Sequence, residues 1–303
     1  MKMRKLLGRV RLANLIMASI IYRAKAGLRL IGTEFDTFGR KLSFQFLLRK
    51  DYNRFINLFC NPVSIVRYFE FPFCYKAVDW SKIYYWLDIS SPRLFFPFVL
   101  NYNNSLTLVA ANPDQRDLDE TLIQLRIAGF SERFDLRRVD ARNLPFPDSR
   151  FDVVTSISVL EHVPEFGDSL IMKEAWRVLK PGGRLVITVP CAKAHFEEYR
   201  DADIYGFGDP RTVVGGKIFF QRFYDKKSIE ERLCAPIKAK PKRLAIFGEN
   251  IEGLFFDYEK RWMKFGLTET IKDPYYISRD YQHYQSILQL PGIGVCGMAF
   301  MKE

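Results

Sequence analysis

From residue 83 onward the apolar and polar positions fall into two alternating rhythms. Residues 83–88 (IYYWLD) and 105–111 (SLTLVAA) are short apolar runs that predict buried strands, with a helix over 92–101 between them. Residues 114–128 place Leu118, Leu122, Leu125 and Ile127 near helical spacing, and Gly129 stops that helix. Third and fourth strands are predicted over 134–139 and 151–158. Leu170, Ile171, Ala175, Val178 and Leu179 predict a helix over 168–179. Lys180-Pro181-Gly182-Gly183 ends it, because proline cannot continue a helix and glycine accepts positive φ. A fifth strand follows over 184–189 (RLVITV). Strands separated in this way by helices predict right-handed βαβ units around a parallel sheet.

On either side of this stretch the rhythm loosens. Residues 225–233 predict a helix, and 243–247 and 294–301 predict closing strands. Two segments, 191–224 and 248–292, are rich in aromatic and charged residues. Both are too long for structureless loops, so short helices, a lid or an assembly surface are expected, with His283 a lid candidate. Residues 1–80 read as a basic, aromatic and helical extension, and 81–303 as the main domain. Within the extension, Asn61-Pro62 opens a helix over 63–70 that Phe71-Pro72 closes.

Composition narrows the picture. A chain of 303 residues, 48% hydrophobic and 27% charged, is large enough for one substantial core. The five cysteines (Cys60, Cys74, Cys191, Cys234, Cys296) are scattered and show no metal-site spacing. They predict a reducing cytoplasmic setting, with no structural zinc. The net charge of +11 is uneven: Lys2, Arg4, Lys5, Arg9, Arg11, Arg23, Lys25 and Arg29 precede the first acidic residue, Glu34. About +3 remains for the rest of the chain, which argues against a nucleic-acid partner. The apolar run 15–22 is too short to span a bilayer, which needs about 20 residues. The acid-free start has the composition of a transit peptide. Residues 1–33 otherwise suit either a helix peripheral on an anionic membrane or one packed on the domain or a partner.

Four fragments then make the chain recognisable. They are Val139-Asp140-Ala141-Arg142-Asn143-Leu144-Pro145-Phe146, Phe151-Asp152-Val153-Val154, Val159-Leu160-Glu161-His162-Val163 and Val178-Leu179-Lys180-Pro181-Gly182-Gly183. In this order and spacing they resemble class I S-adenosylmethionine-dependent methyltransferases, in particular the small-molecule branch. The resemblance covers about 83–190 and is dense over 139–190. It implies a Rossmann-like α/β fold, doubly wound around a seven-stranded, mostly parallel sheet with helices on both faces. It also implies S-adenosylmethionine as cofactor.

In such a sheet, ligands sit beyond the carboxyl ends of the strands near the switch point. Asp140 falls there, where its carboxylate can accept from an adenine amino group while the Ala141 N–H reaches a ring nitrogen. Leu144 offers an apolar wall. The plainer reading of Asp140 is a turn cap before Pro145. Asp88 matches the family's acidic residue after the first strand, but Ser90-Ser91-Pro92-Arg93-Leu94 replaces its glycine-rich loop. Ser91-Pro92 reads as a helix N-cap followed by proline at the first position, and Arg93 either meets the cofactor's carboxylate or stays solvated. After the second strand, Ala110 stands at the place of the acidic residue that holds the ribose. Asn112 or Asp114 substitutes for it or caps the next helix.

Ser158 occupies the first position of the Glu-x-x-Glu-His pattern that some relatives use for a divalent metal. With that carboxylate missing no metal is expected. His195 and His162 are the candidate general bases, with Glu197, Glu198 and Tyr199 nearby. Phe196, Tyr199, Tyr205, Phe207, Phe219 and Phe220 either line an apolar acceptor pocket or form core at the sheet edge. Two functions follow from the resemblance: methyl transfer to a small-molecule or lipid-linked acceptor, with O-methylation the favoured form, or a non-catalytic interaction or membrane-associated assembly module.

Overall fold

The computed structural model describes residues 2–202 and 213–303, with side chains described from Leu12 onward in those ranges. The basic side chains Lys2, Arg4, Lys5, Arg9 and Arg11, and the aromatic residues Tyr205 and Phe207, lie outside the described residues.

Four helices open the chain: α1 (Lys2–Ala26), α2 (Thr33–Leu48), α3 (Tyr52–Cys60) and α4 (Arg67–Lys76). One buried ion pair ties the first of these to the others. Arg23 on α1 donates from Nε and Nη2 to Asp36 of α2, at 2.8 and 2.7 Å. Its Nη1 donates to the Cys60 carbonyl at the end of α3, and Tyr68 Oη of α4 donates to Asp36. The many charge-assisted bonds offset the desolvation of both ions. Gly32, at φ 66°, lets α2 start against α4, since a Cβ there would sit 2.5 Å from the Tyr68 carbonyl oxygen.

Helix α4 departs from expectation. It begins at Arg67 and runs through Pro72 to Lys76, where a helix over 63–70 ending at Phe71-Pro72 was predicted. Pro72 leaves the Tyr68 carbonyl without its helical donor, at a cost of about 3 kcal/mol. Every residue from Tyr68 to Cys74 is buried, and this packing outweighs the local preference.

The main sheet is laid down by β1 (Tyr85–Ile89), α5 (Phe95–Leu100), β2 (Thr107–Asn112), α6 (Gln115–Ile127), β3 (Phe134–Arg138), β4 (Phe151–Ile157), α7 (Gly167–Val178) and β5 (Leu179–Cys191). Beyond it come β6 (Phe196–Arg200), β7 (Val213–Val214), β8 (Lys217–Phe223) and α8 (Lys226–Ile229). The chain closes with β9 (Arg243–Glu249), α9 (Leu254–Phe265), α10 (Leu267–Thr270), α11 (Asp273–Asp280), β10 (Tyr281–Tyr284) and β11 (Gly294–Met301). The order is β3-β2-β1-β4-β5-β11-β9-β10. The first five strands are parallel, and β11 runs antiparallel to both β5 and β9. Side chains alternate between two cores: Trp86 packs with Tyr68, Phe95 and Phe35 on one face, while Leu87 and Ile89 pack with Ile171 and Leu185 on the other.

The expected doubly wound α/β sheet is present, with eight strands in place of seven. The additional strand is β10, which comes from within segment 248–292 and pairs antiparallel with β9, Tyr281 opposite Glu249. It satisfies an edge that would otherwise expose backbone donors and acceptors. His283 lies in β10 with its ring near Phe69 and Phe247, so it is part of the sheet edge and not a lid residue.

In segment 191–224, where short helices, a lid or an assembly surface are expected, β6, β8 and β7 form a separate antiparallel sheet. Asp168 on α7 anchors it. This fully buried carboxylate accepts from Tyr224 Oη at 2.8 Å and Arg232 Nε at 2.8 Å, and pairs with buried Arg222 at 3.1 Å. The helix predicted over 225–233 is present: α8 widens into a π-helical turn over Glu230–Cys234 and closes with a short 3-10 turn over Ala235–Ile237. Lys180-Pro181-Gly182-Gly183 proves to be a bulged part of β5, with the Gly182 N–H donating to the Lys302 carbonyl at 2.6 Å. All five cysteines are buried and unpaired.

Candidate active site

The ends of β1, β2, β3 and β4 open onto one cavity of about 600 Å³, roofed by residues of α3, α4 and the segment between them. Ser90, Ser91, Asn112, Asp140, Ala141, Ser158 and His162 all line it. The structure thus brings together most of the residues named from the sequence.

The β1 end rests on Asp88, which is fully buried beneath the cavity. Its Oδ1 accepts from the Ser91 N–H at 2.8 Å, and its Oδ2 accepts from the Thr155 hydroxyl, which itself accepts from Trp86 Nε1. Burial pushes the Asp88 carboxyl up to about 7. Ser90 follows at φ 55°, the left-handed conformation that favours glycine. Its N–H and hydroxyl both donate to the Ala111 carbonyl, at 3.0 and 3.2 Å. The loop therefore makes the turn of a glycine-rich segment with serine, held by these bonds. Ser91 does not cap α5, which starts at Phe95; its Oγ accepts instead from the Ile157 N–H at 3.0 Å, crossing from β1 to β4.

This backbone makes a test available. Ser90→Gly is expected to change stability by less than about 1 kcal/mol, because glycine takes the same φ freely. Ser90→Val is expected to cost about 1–3 kcal/mol, because a β-branched residue is strained there. Urea unfolding of the two variants measures the difference; equal stability would show that this turn is not left-handed.

At the β2 end, Asn112 Oδ1 accepts from the Asp114 N–H at 2.8 Å, and its Nδ2 donates to Asp117 Oδ2 at 2.9 Å. Asp114 is committed to capping α6 and to Arg116. Asp117 pairs directly with Arg93, which also lines the cavity and stays partly exposed. Burial pushes the Asp117 carboxyl up. At the β3 end, half-exposed Asp140 is bidentate with Arg142, whose hydrogen bonds hold its carboxyl below the usual range. Ala141 beside it is buried, while Leu144 is buried behind the wall, its N–H donating to Glu174.

The β4 end carries a polar knot. Ser158, at φ 49°, donates from Oγ to Glu70 Oε1 at 2.5 Å, and Thr188 Oγ1 donates to the same oxygen at 2.7 Å. Arg67, which lines the cavity, pairs with the other Glu70 oxygen. Glu161 is buried close by, and its carboxyl is pushed up to about 8 by burial and then by the charge of Glu70. Its Oε1 is 3.8 Å from His162 Nε2. His162 Nδ1 lies 2.8 Å from the Phe220 carbonyl oxygen, which can only accept, so Nδ1 carries a proton. Among the described residues no group of three His, Cys, Asp or Glu side chains is placed to hold a metal ion.

Residues 94–187 match the protein family described as a methyltransferase domain. Methyltransferase GfsG of Streptomyces halstedii is 31% identical over 101 residues, which is 33% of this chain and 36% of that protein. The ubiquinone/menaquinone biosynthesis C-methyltransferase UbiE of Pseudomonas fluorescens (strain Pf0-1) is 38% identical over 76 residues, 23% of this chain and 29% of that one. Over residues 94–187, therefore, the chain is similar to methyltransferase domains. A solved Bacillus halodurans C-125 protein assigned as a methyltransferase shares the fold at a TM-score of 0.50, with 16% identity over 77% of this chain and 98% of that one. The alignments span only 36% and 29% of the two curated relatives' own length.

The family match contains Asn112, Asp117, Asp140, Ala141, Ser158 and His162, whereas Arg67, Glu70, Ser90 and Ser91 lie before it. Residues of the matched stretch thus share the cavity with Arg67 of α4 and with Ser90 and Ser91 after β1, which precede it. His195 does not reach the cavity: β5 carries the chain past it, and the imidazole is exposed near Tyr224. None of Phe196, Tyr199, Phe219 and Phe220 lines the cavity either. Phe196 stacks on Phe223, and Tyr199 meets Phe219 edge-on, so they build the second sheet. Arg67, Glu70 and Asp117 were not singled out in the sequence. Asp117 carried a weak signal there, as an acidic residue in the first turn of α6 five positions after Asn112.

Proposed function

We propose that the cavity binds S-adenosylmethionine and that the protein transfers its methyl group to a small-molecule or lipid-linked acceptor through an oxygen atom. The observation that carries this reading is the β1 loop: without glycine it still takes the left-handed turn at Ser90 that opens the cavity above β1. A volume of about 600 Å³ falls within the range of small-molecule sites, about 300–1,000 Å³. Bound there, the cofactor supplies an electrophilic methyl group on sulfur.

The protein's own groups then divide the work. Ala141 N–H and Asp140 face the adenine. Asn112, at the end of β2, and Asp117, in the first turn of α6, hold the ribose in place of the acidic residue that Ala110 replaces. His162, which lines the cavity next to Glu161, reads as the base: with Nδ1 donating to the Phe220 carbonyl, Nε2 is the basic nitrogen. It can take the proton of an acceptor hydroxyl as the oxygen attacks. Positioning for in-line attack supplies the rest.

Asp140→Ala is expected to weaken binding of S-adenosylhomocysteine by about 1–3 kcal/mol, and Asp117→Ala by a similar amount. Calorimetric titration of each folded variant measures this. Unchanged affinity in Asp140→Ala would remove that residue from the adenine site, and unchanged affinity in Asp117→Ala would remove Asp117 from the ribose site.

A further inference from the structure

Among the described side chains of α1, from Leu12 onward, the inward face is fully used. Leu15, Ile16, Ala18 and Tyr22 pack against the cluster of Phe55 and Phe59 on α3, and Ser19, Arg23 and Ala26 complete the contact. A helix docked in this way normally turns polar residues outward. On α1 the outward line is instead Ala13, Met17, Ile20, Ile21 and Ala24, all exposed and at helical spacing, with exposed Leu28 in the turn that follows. Met17 is 55% exposed, Ile21 46%, and Leu28, just past the helix, wholly so. In the sequence, the same spacing continues back through Val10, Leu6 and Met3.

Charge selects what covers this face. No acidic residue precedes Glu34, against eight basic ones, of which only Arg23 is turned inward to Asp36 among those whose side chains are described, and Lys25 and Arg29 stand exposed beside the apolar line. A second copy of this helix would bring like charges together. An anionic lipid surface complements them, each nearby Lys or Arg adding to the attraction. No described helix is long and apolar enough to cross a membrane, so the helix would lie in the interface plane with its apolar line at the headgroup boundary.

We infer that the outward face of α1 is a docking surface for an anionic phospholipid membrane. This is independent of the methyl-transfer reading, since neither those five residues nor Leu28 lines the cavity. Because Arg23 ties α1 into the protein body, the test uses the full chain with Met17→Gln combined with Ile21→Gln, both at exposed positions. Co-sedimentation compares vesicles of pure phosphatidylcholine with vesicles about one-third phosphatidylserine. The wild type is expected to pellet with the anionic vesicles only and to be released by salt. The double variant, with unchanged thermal unfolding and unchanged S-adenosylhomocysteine binding, is expected to bind at least about tenfold more weakly. Wild-type protein that stays in the supernatant, or a variant that binds equally well, would overturn the inference. So would a dimer in sedimentation velocity that the double variant dissociates, because the face would then belong to a second copy.

Discussion

Glu70→Ala is expected to lower the unfolding free energy by about 3–5 kcal/mol, the range for breaking a buried ion pair from one side. The carboxylate is wholly buried and joins three parts of the chain: Arg67 on its own helix, Ser158 after β4 and Thr188 on β5. Its removal leaves the Arg67 guanidinium without its partner and two hydroxyls without their acceptor, each orphaned donor costing about 1–3 kcal/mol. Thr188→Val removes one donor while leaving the ion pair, and is expected to cost only about 1 kcal/mol. Urea unfolding of the three proteins gives the comparison. A loss below about 1 kcal/mol in Glu70→Ala would mean that α4 is held to the sheet by apolar packing alone. The effect should also reach the ligand, because Ser158 and Arg67 form part of the cavity wall.

Stability is expected to fall as the pH rises from about 5 to 8, and Glu161→Gln is expected to flatten that fall. The Glu161 carboxyl is pushed up to about 8 in the folded protein, from an ordinary value of 4.5. Between those values the unfolded chain has released its proton and the native protein has kept it. The native state then binds more protons, and stability declines by up to about 1.4 kcal/mol per pH unit. This contribution is fully present below the unfolded value and is lost as pH climbs through the folded one. Asp88, pushed up to about 7, adds a decline of the same sign that ends earlier. From pH 5 to 8, the wild type should lose up to about 4 kcal/mol more than Glu161→Gln. Parallel stability curves for the two proteins would show that Glu161 is ionised in the native state across this range.

Much of the domain was legible because its signals are local. The strands of the parallel sheet follow from short apolar runs between helical ones, and Asp140-Ala141 follows from its place after β3. The β1 loop was half legible. Its missing glycines were plain in the sequence, but serine's adoption of the glycine turn depends on bonds to the Ala111 carbonyl, 21 residues away. Glu70 was hidden for the same kind of reason, since its partner Ser158 is 88 residues distant and only the packing of α4 on the sheet brings them together. Burial of the Tyr68–Cys74 stretch carried α4 through Pro72 against the local rule. Strand β10 and the β6–β8–β7 sheet form through antiparallel pairing whose register no periodicity announces. His195 was misplaced because proximity along the chain to the end of β5 stood in for proximity in space.

The most direct test of the central claim is calorimetric titration of the full chain with S-adenosylmethionine and with S-adenosylhomocysteine. The account predicts one-site binding of both at micromolar affinity, about 8 kcal/mol, weakened in Asp140→Ala and retained in Ser90→Gly. Absence of heat at several temperatures, together with no thermal stabilisation by either ligand, would contradict it and leave a methyltransferase fold serving as a non-catalytic module.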